Sequence, residues 1–239
     1  MRLDKFLAHS GFGTRKEVKS LLKQGIVCVN DVVNKKDKTH VDIEHDIVTV
    51  DGEVIHYEEY VYYMLHKPAG YVSATEDNLH PTVVELIDDY YRDDLFPVGR
   101  LDIDTEGLLL MTNDGQLAHQ LLSPKKHCPK IYYAKIDGIV DQDDIDAFAR
   151  GITIDDYLCK EAHLKVLGHD EQTSEIEVEI YEGKFHQIKK MFLTRQKPVL
   201  YLKRIQMKNL VLDEKLKKGD YRRLTEDEIN SLTSDNVVK

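Results

Sequence analysis

The sequence predicts an α+β protein: a small helix-led module followed by a larger domain on a mixed, largely antiparallel sheet. Three observations lead there. Residues 2–25 place apolar positions at helical spacing, and short strand-like segments follow. From residue 60 onward, apolar runs of strand length and helical stretches come in irregular order, not as repeated βαβ units. No Gly-rich dinucleotide-binding pattern accompanies them.

The first module is expected over residues 1–58. Leu3, Phe6 and Leu7 follow the i, i+3, i+4 spacing of a short helix with one buried face. Gly11-Phe12-Gly13 interrupts it. Thr14 stands three positions before Glu17, the capping-box spacing that opens a second helix. At about 100° per residue, Arg15, Lys16, Lys19 and Lys23 share one quarter of this helix. Val18, Leu21 and Leu22 form a separate apolar stripe, and Gly25 ends the helix. Cations confined to one arc suit a helix laid on phosphates. Ile26–Val29 reads as a strand, Asn30-Asp31 as a turn and Val32-Val33 as the return. From Val41 to Glu59 the chain turns acidic, and Val48, Val50, Val54 and Ile55 mark short closing strands.

The second domain is expected over 60–232. Val61–Leu65 reads as a buried strand ended by His66-Lys67-Pro68-Ala69-Gly70. Residues 81–90 read as a short helix opened by Pro81-Thr82, and Gln116–Leu122 as another. Ile131–Ile136 and Ile176–Ile180 read as strands, and Ser123–Lys130 as a polar loop. Residues 233–239 are expected to be a frayed tail.

With 239 residues and 41% apolar content, the chain can bury a core in a small domain and a medium one. No apolar run approaches the ~18–20 residues of a membrane helix, and no signal peptide is read at the N-terminus. Three scattered cysteines, Cys28, Cys128 and Cys159, give neither a disulfide framework nor zinc spacing, which suits a reducing cytoplasm. The net charge of −10 argues at first against an anionic partner. Its distribution argues the other way: residues 1–40 carry +5 and residues 182–223 carry +9, leaving the remainder at −24. Two basic surfaces on an acidic body fit a nucleic acid, because local fields outweigh the total.

The most informative stretch runs from Gly99 to Gly115. It sets Arg100, Asp102, Asp104 and Glu106 in a loop, followed by the apolar strand Leu108–Met111 and an Asp114-Gly115 turn. A loop anchored on a buried strand is a rigid seat for a reactive side chain. Two other readings compete. Asp102, Asp104, Glu106 and Gly107 imitate the start of a calcium loop, but the twelfth position is Asn113, where a bidentate Glu is required. A surface loop with a structural Arg–Asp pair is the plainer alternative.

Several segments resemble known families. Arg2–Leu7, Gly11–Lys16 and Gly25–Asn30 resemble an S4 RNA-binding domain, with Asp31 where that family usually has Gly. Gly99-Arg100-Leu101-Asp102, then Asp104-Thr105 and Gly107–Gly115, resemble the signature of the RsuA-type ribosomal RNA pseudouridine synthase family. Other motifs follow in the expected order. Lys67–Gly70 matches the first, with His66 where Asn is frequent. Lys130-Ile131-Tyr132 matches a Lys-x-Tyr motif, and Glu182–Phe192 the third motif. Leu202–Ile205 and Leu216-x-x-Gly219-x-Tyr221-Arg222 complete the C-terminal pattern.

The resemblance implies an isomerase that breaks the N1–C1′ bond of a uridine, turns the uracil and joins C5 to C1′. It implies no cofactor and no metal. Asp102 is implied as the catalytic carboxylate that stabilises or traps an oxocarbenium-like anomeric carbon. A carboxylate in a water-excluding cleft stays ionised only beside a cation, a role the resemblance gives to Lys189. Tyr132 is implied as the ring against the flipped uracil. Arg100, Thr105 and Lys67 are expected around the active-site loop, Arg100 either holding the loop or pairing with Asp104. Arg2, Lys5, Arg15, Lys16, Lys19, Lys23, Lys184, Lys190 and Arg204 are expected to contact RNA.

The third motif, with Lys184-Phe185-His186, is similar to the branch acting on small-subunit (16S) ribosomal RNA. The large-subunit branch more often has Glu-Gly-Arg-Asn-Arg. The expected partner is therefore ribosomal RNA or a ribosome-assembly particle, met by a cytoplasmic monomer that uses neither a membrane nor a small-molecule cofactor. Two rivals stand beside this: a large-subunit synthase, and a non-catalytic S4-type RNA-binding or ribosome-assembly protein.

Overall fold

The computed structural model describes residues 1–88, 93–123 and 126–234. The chain divides into two compact units, Met1–Val61 with Ile87–Leu95, and Tyr62–Leu86 with Phe96–Lys239. The change at 61/62 lies beside the expected boundary at 58–60. Nothing in the sequence reading anticipated that 87–95 groups with the first unit.

The first unit carries helices α1 (Leu3–His9) and α2 (Arg15–Gln24), then strands β1 (Val27–Val29), β2 (Val32–Val33), β3 (Val48–Val50) and β4 (Glu53–Ile55). The strands form an antiparallel sheet in the order β2-β1-β3-β4. Leu3, Phe6 and Leu7 of α1 pack with Val18 and Leu22 of α2 and with Val27 and Val48 below them. The capping box forms: Glu17 N donates to Thr14 Oγ1 and Thr14 N to Glu17 Oε2. Gly25 closes α2 at φ 79°, a left-handed conformation that costs glycine nothing. Asn30 and Asp31 both adopt positive φ, 51° and 63°, as a tight primed hairpin turn requires. Asp31 therefore fills the place of the family's usual Gly in a conformation Asp tolerates.

The second unit is built on one large sheet. Its elements, in order, are β5 (Tyr62–Lys67), a 3-10 turn at Val83–Leu86, β6 (Phe96–Pro97), β7 (Glu106–Thr112) and α3 (Gly115–Leu122). Next come β8 (Lys130–Asp137), α4 (Gln142–Arg150), β9 (Thr153–Ile154), β10 (Tyr157–Leu158), β11 (His163–His169) and β12 (Thr173–Ile180). Last are α5 (Gln187–Thr194), β13 (Val199–Met207), β14 (Leu210–Val211), β15 (Tyr221–Arg223) and α6 (Glu226–Thr233). The main strand order is β11-β12-β8-β13-β7-β5-β15. β13 and β7 run parallel, and the other pairings in the sheet are antiparallel. The fold is thus mixed α+β with a largely antiparallel sheet.

Every residue of β7 is buried, which is why its sequence is a continuous apolar run rather than an alternation. Gly107 lets β13 approach: a Cβ there would stand 2.2 Å from the Arg204 carbonyl oxygen. Met64, Leu108, Leu110, Leu117, Leu121 and Met207 form the core beneath α3.

Four local expectations change. The helix expected at 81–90 is a 3-10 turn over four residues, and residues 89–90 lie outside the described ones. Asp114-Gly115 is a helix start: the Asp114 carboxylate caps α3 by accepting from Gln116 N and Leu117 N. The polar loop expected at 123–130 ends where Lys130 opens β8, and its residues 124–125 lie outside the described residues. So does 235–239 of the expected tail, while Thr233 still belongs to α6.

Candidate active site

The loop 99–105 lies between β6 and β7 and is held by side chains remote in sequence. Lys67, at the end of β5 and 0% exposed, points its ammonium at backbone carbonyls. Nζ donates to Thr105 O at 2.8 Å, Pro68 O at 3.0 Å, Asp102 O at 3.1 Å and Ile103 O at 3.4 Å. Buried Ser73 clasps the loop one residue before Asp102: Leu101 N donates to its Oγ, and that hydroxyl donates to Leu101 O, both at 3.0 Å. Gly70 N donates to Ile103 O at 2.7 Å, and Thr105 N to Asp102 O at 3.0 Å. The backbone on both sides of Asp102 is therefore tied down, as a reactive group needs.

The Asp102 carboxylate meets α5. Lys189 Nζ lies 3.1 Å from Asp102 Oδ2 and 2.5 Å from Asp104 Oδ1. His186 Nε2 stands 3.6 Å from Asp102 Oδ1. Burial works against the Lys189 ammonium, but its hydrogen bonds to Asp104 and Asp102 outweigh that and hold its pKa above the ordinary lysine value. Asp104, partly desolvated, is held below the ordinary carboxylate range by the same lysine. Asp104 thus pairs with Lys189; the expected alternative, a pair with Arg100, is not the one formed. The lysine ammonium also occupies the position between two carboxylates that a calcium reading would give to an ion. Among the described residues no group of three His, Cys, Asp or Glu side chains could hold a metal.

Asp102, His186 and Lys189 line an open cleft of about 440 Å³ with Arg100, Thr105, Tyr132, Lys184 and Gln187. Tyr132, on β8 and 8% exposed, is part of that lining. Thr105 is buried there, and its hydroxyl has no hydrogen-bond partner among the described residues. Arg100 is exposed at the rim.

The expected RNA contacts fare unevenly. Arg204 is 1% exposed and donates from Nε to Leu108 O at 2.8 Å, so it is a structural cation and presents no charge to RNA. Period-two alternation explains this: Leu202 and Arg204 face inward and Lys203 is less buried. Lys184 is exposed with Nζ 4.0 Å from the Tyr157 ring centroid, and Lys190 pairs with Asp155. In the first unit Arg15, Lys16, Lys19 and Lys23 are all exposed and Lys5 is half-buried. Lys19 lies 3.2 Å from Asp37, and Arg2 holds the buried Asp4 at 2.7 Å.

Two predictions arise here. Neutralising Arg15, Lys16, Lys19 and Lys23 together should weaken RNA binding and flatten the log K versus log salt slope by up to ~0.7–0.9 per lost contact. The chemical step on bound RNA should survive. A salt titration of binding checks this, and an unchanged slope would remove the α2 face from the interface.

The second concerns Lys67. Burial pushes its pKa down to about 8, although Asp104, Glu106 and Asp102 pull the other way. Between that value and the ordinary 10.5, the unfolded chain binds more protons than the folded one, so this group makes folding stability rise with pH. The neutral amine has only two N–H donors for its surrounding carbonyls, so the loop loosens as stability rises. The single-turnover rate should fall above about pH 8 without a matching drop in melting temperature. A rate that stays flat through that window would detach Lys67 from the reactive loop.

The site and fold define an RNA-modifying isomerase, and comparison with known proteins supports that class. A family model described as RNA pseudouridylate synthase matches residues 61–194, and an S4 domain model matches residues 1–48. The chain belongs to the RNA pseudouridine synthase family. It is 47% identical to an uncharacterized RNA pseudouridine synthase, YtzG, of Bacillus subtilis, over 97% of this chain and 98% of that protein. It is 40% identical to ribosomal small subunit pseudouridine synthase A of Vibrio cholerae, over 97% and 99% of the two chains. The crystal structure of a pseudouridylate synthase superposes with a TM-score of 0.68 at 35% identity, covering 97% of this chain and 99% of that one.

Proposed function

We propose that this enzyme converts a uridine of small-subunit ribosomal RNA to pseudouridine, with Asp102 as its catalytic carboxylate. The observation that carries the reading is the Asp102–Lys189 pair at 3.1 Å in a cleft also lined by Tyr132. The target uridine leaves its helix or loop and its uracil lies against Tyr132, an aromatic face that replaces its stacked neighbours. The N1–C1′ bond breaks as positive charge develops at C1′. Asp102 either bonds to C1′ or removes the C2′ proton to give a glycal, and both routes run through the same carboxylate. The uracil turns and C5 joins C1′ as the Asp102–C1′ bond breaks or, by the glycal route, as the proton returns to C2′; the C5 proton then leaves and N1 takes one up. Composition is unchanged, so no oxidant or energy source is consumed.

The small-subunit substrate rests on two supports: the Lys184-Phe185-His186 form of the third motif, and relatives named for that subunit. The S4 unit grips structured RNA through phosphates while the cleft admits one base. Incubating the purified protein with small- and large-subunit ribosomal RNA transcripts, then mapping pseudouridine, tests this. Modification in the small-subunit transcript is expected. Modification confined to the large-subunit transcript would transfer the enzyme to the other branch.

A further inference from the structure

Phe185 is conspicuous beside this site. Its side chain is in the third motif, yet it is 71% exposed, so core packing does not explain its placement. Isolated surface hydrophobes are common, but this one is held in a fixed pose. Its ring stacks on the His186 imidazole, with centroids 3.8 Å apart and planes 21° from parallel. His186 has φ 54°, a left-handed conformation that L side chains seldom adopt, and is the N-terminal flank of α5.

The loop beneath the pair is closed by its own flanks. Lys184 N donates to Gln187 Oε1 at 2.9 Å, and Gln187 Nε2 donates to Glu182 Oε1 at 3.1 Å. Glu182 is anchored in turn by Lys160 N at 2.9 Å and the Tyr157 hydroxyl at 2.8 Å. The stacked pair also adjoins the reacting group, since His186 Nε2 is 3.6 Å from Asp102 Oδ1.

We propose that Phe185, backed by His186, is a stacking platform for the nucleobase next to the target uridine, an inference that rests on the RNA substrate proposed above. Drawing a uridine out of its stack uncovers a face on each neighbour. An exposed ring stacked on His186, itself part of the cleft lining, covers one of them and holds the strand open. The surroundings suit a polyanion: Lys190 Nζ lies 5.2 Å from the Phe185 centroid, and Lys184 is exposed on the same loop. His186 makes a sandwich of base, phenyl and imidazole, so the platform is a pair rather than one ring.

The test compares wild type with Phe185→Leu and Phe185→Tyr on a small-subunit ribosomal RNA transcript, by affinity and by single-turnover rate. Leu keeps the apolar bulk and loses the π-face; Tyr keeps both. Phe185→Leu should weaken RNA binding roughly 5- to 100-fold, the effect of losing one stacked base, and Phe185→Tyr should recover most of that loss. Transcripts abasic at the nucleotide 5′ or 3′ of the modified uridine locate the partner. At one position wild type should lose affinity, while Phe185→Leu should lose no more than it already has. Wild-type affinity in Phe185→Leu, or losses that multiply at both positions, would overturn the platform. If wild type forms no pseudouridine in the transcript, the substrate proposal fails instead. Phe185 is then decided by affinity for a single-stranded uridine-rich oligonucleotide: the same ratio supports stacking, and equality contradicts it. Melting curves of both variants report whether the fold is intact.

Discussion

Asp102→Asn should abolish turnover while leaving RNA affinity within a few-fold of wild type. The substitution is nearly isosteric, and the loop that carries it is held through the backbone by Lys67, Ser73 and Gly70. The fold and the cleft should therefore persist. What the proposed mechanism loses is the negative charge beside C1′ and a nucleophilic, basic oxygen. An amide is uncharged, and its oxygen is a far weaker nucleophile and base than a carboxylate oxygen. The proposed RNA contacts on the first unit and the cleft rim are untouched by the substitution, so complex formation should continue without chemistry. Quantitative binding with no product in a single-turnover assay is the expected pattern. Normal isomerisation by the purified variant would take this carboxylate out of the mechanism.

The second large effect separates two adjacent lysines. On α5 successive residues point ~100° apart, and the difference is visible: Lys189 meets Asp102 and Asp104, whereas Lys190 meets Asp155. Lys189→Met keeps the aliphatic stem and deletes the charge. Asp102 and Asp104 are then left with no ammonium between them, and their repulsion is uncompensated. The single-turnover rate at neutral pH should fall by roughly 10- to 1000-fold, corresponding to about 1.4–4 kcal/mol of lost charge stabilisation. Because the wild-type Lys189 pKa is raised, its charge persists well above neutral pH, and it should not generate the alkaline limb expected from Lys67. Lys190→Met should mainly weaken binding. Single-turnover rates of both variants at saturating enzyme decide this, and the large loss appearing in Lys190→Met would move the cation by one residue.

The sequence disclosed those parts of the site that sit in contiguous patterns. The Thr14–Glu17 capping box, the α1 and α2 apolar stripes and the Asn30-Asp31 hairpin are local signals, and each appears as expected. The Gly99–Asp102 motif and Lys189 were recognisable because the family motifs preserve them as short strings.

Ser73 was not legible. It contacts Leu101 across 28 residues, and an isolated serine in a loop has no periodicity to betray it. The same holds for the exposure of Phe185, which depends on the turn at His186 rather than on residue type. Arg204 was misjudged because Lys203-Arg204 resembles a solvated basic run. Strand alternation from Leu202 would have placed it inside, where β7 gives it the Leu108 carbonyl. Asp114-Gly115 reads as a turn because that dipeptide serves both structures; the helix expected at Gln116–Leu122 begins directly after it, which makes Asp114 its N-cap.

Pseudouridine mapping on ribosomal RNA should be done in cells that lack this protein, that carry the wild-type chain, or that carry only Asp102→Asn. One small-subunit pseudouridine should disappear in the deletion, return with the wild-type chain and stay absent with Asp102→Asn at equal protein abundance. A small-subunit pattern identical in all three would contradict the proposed function.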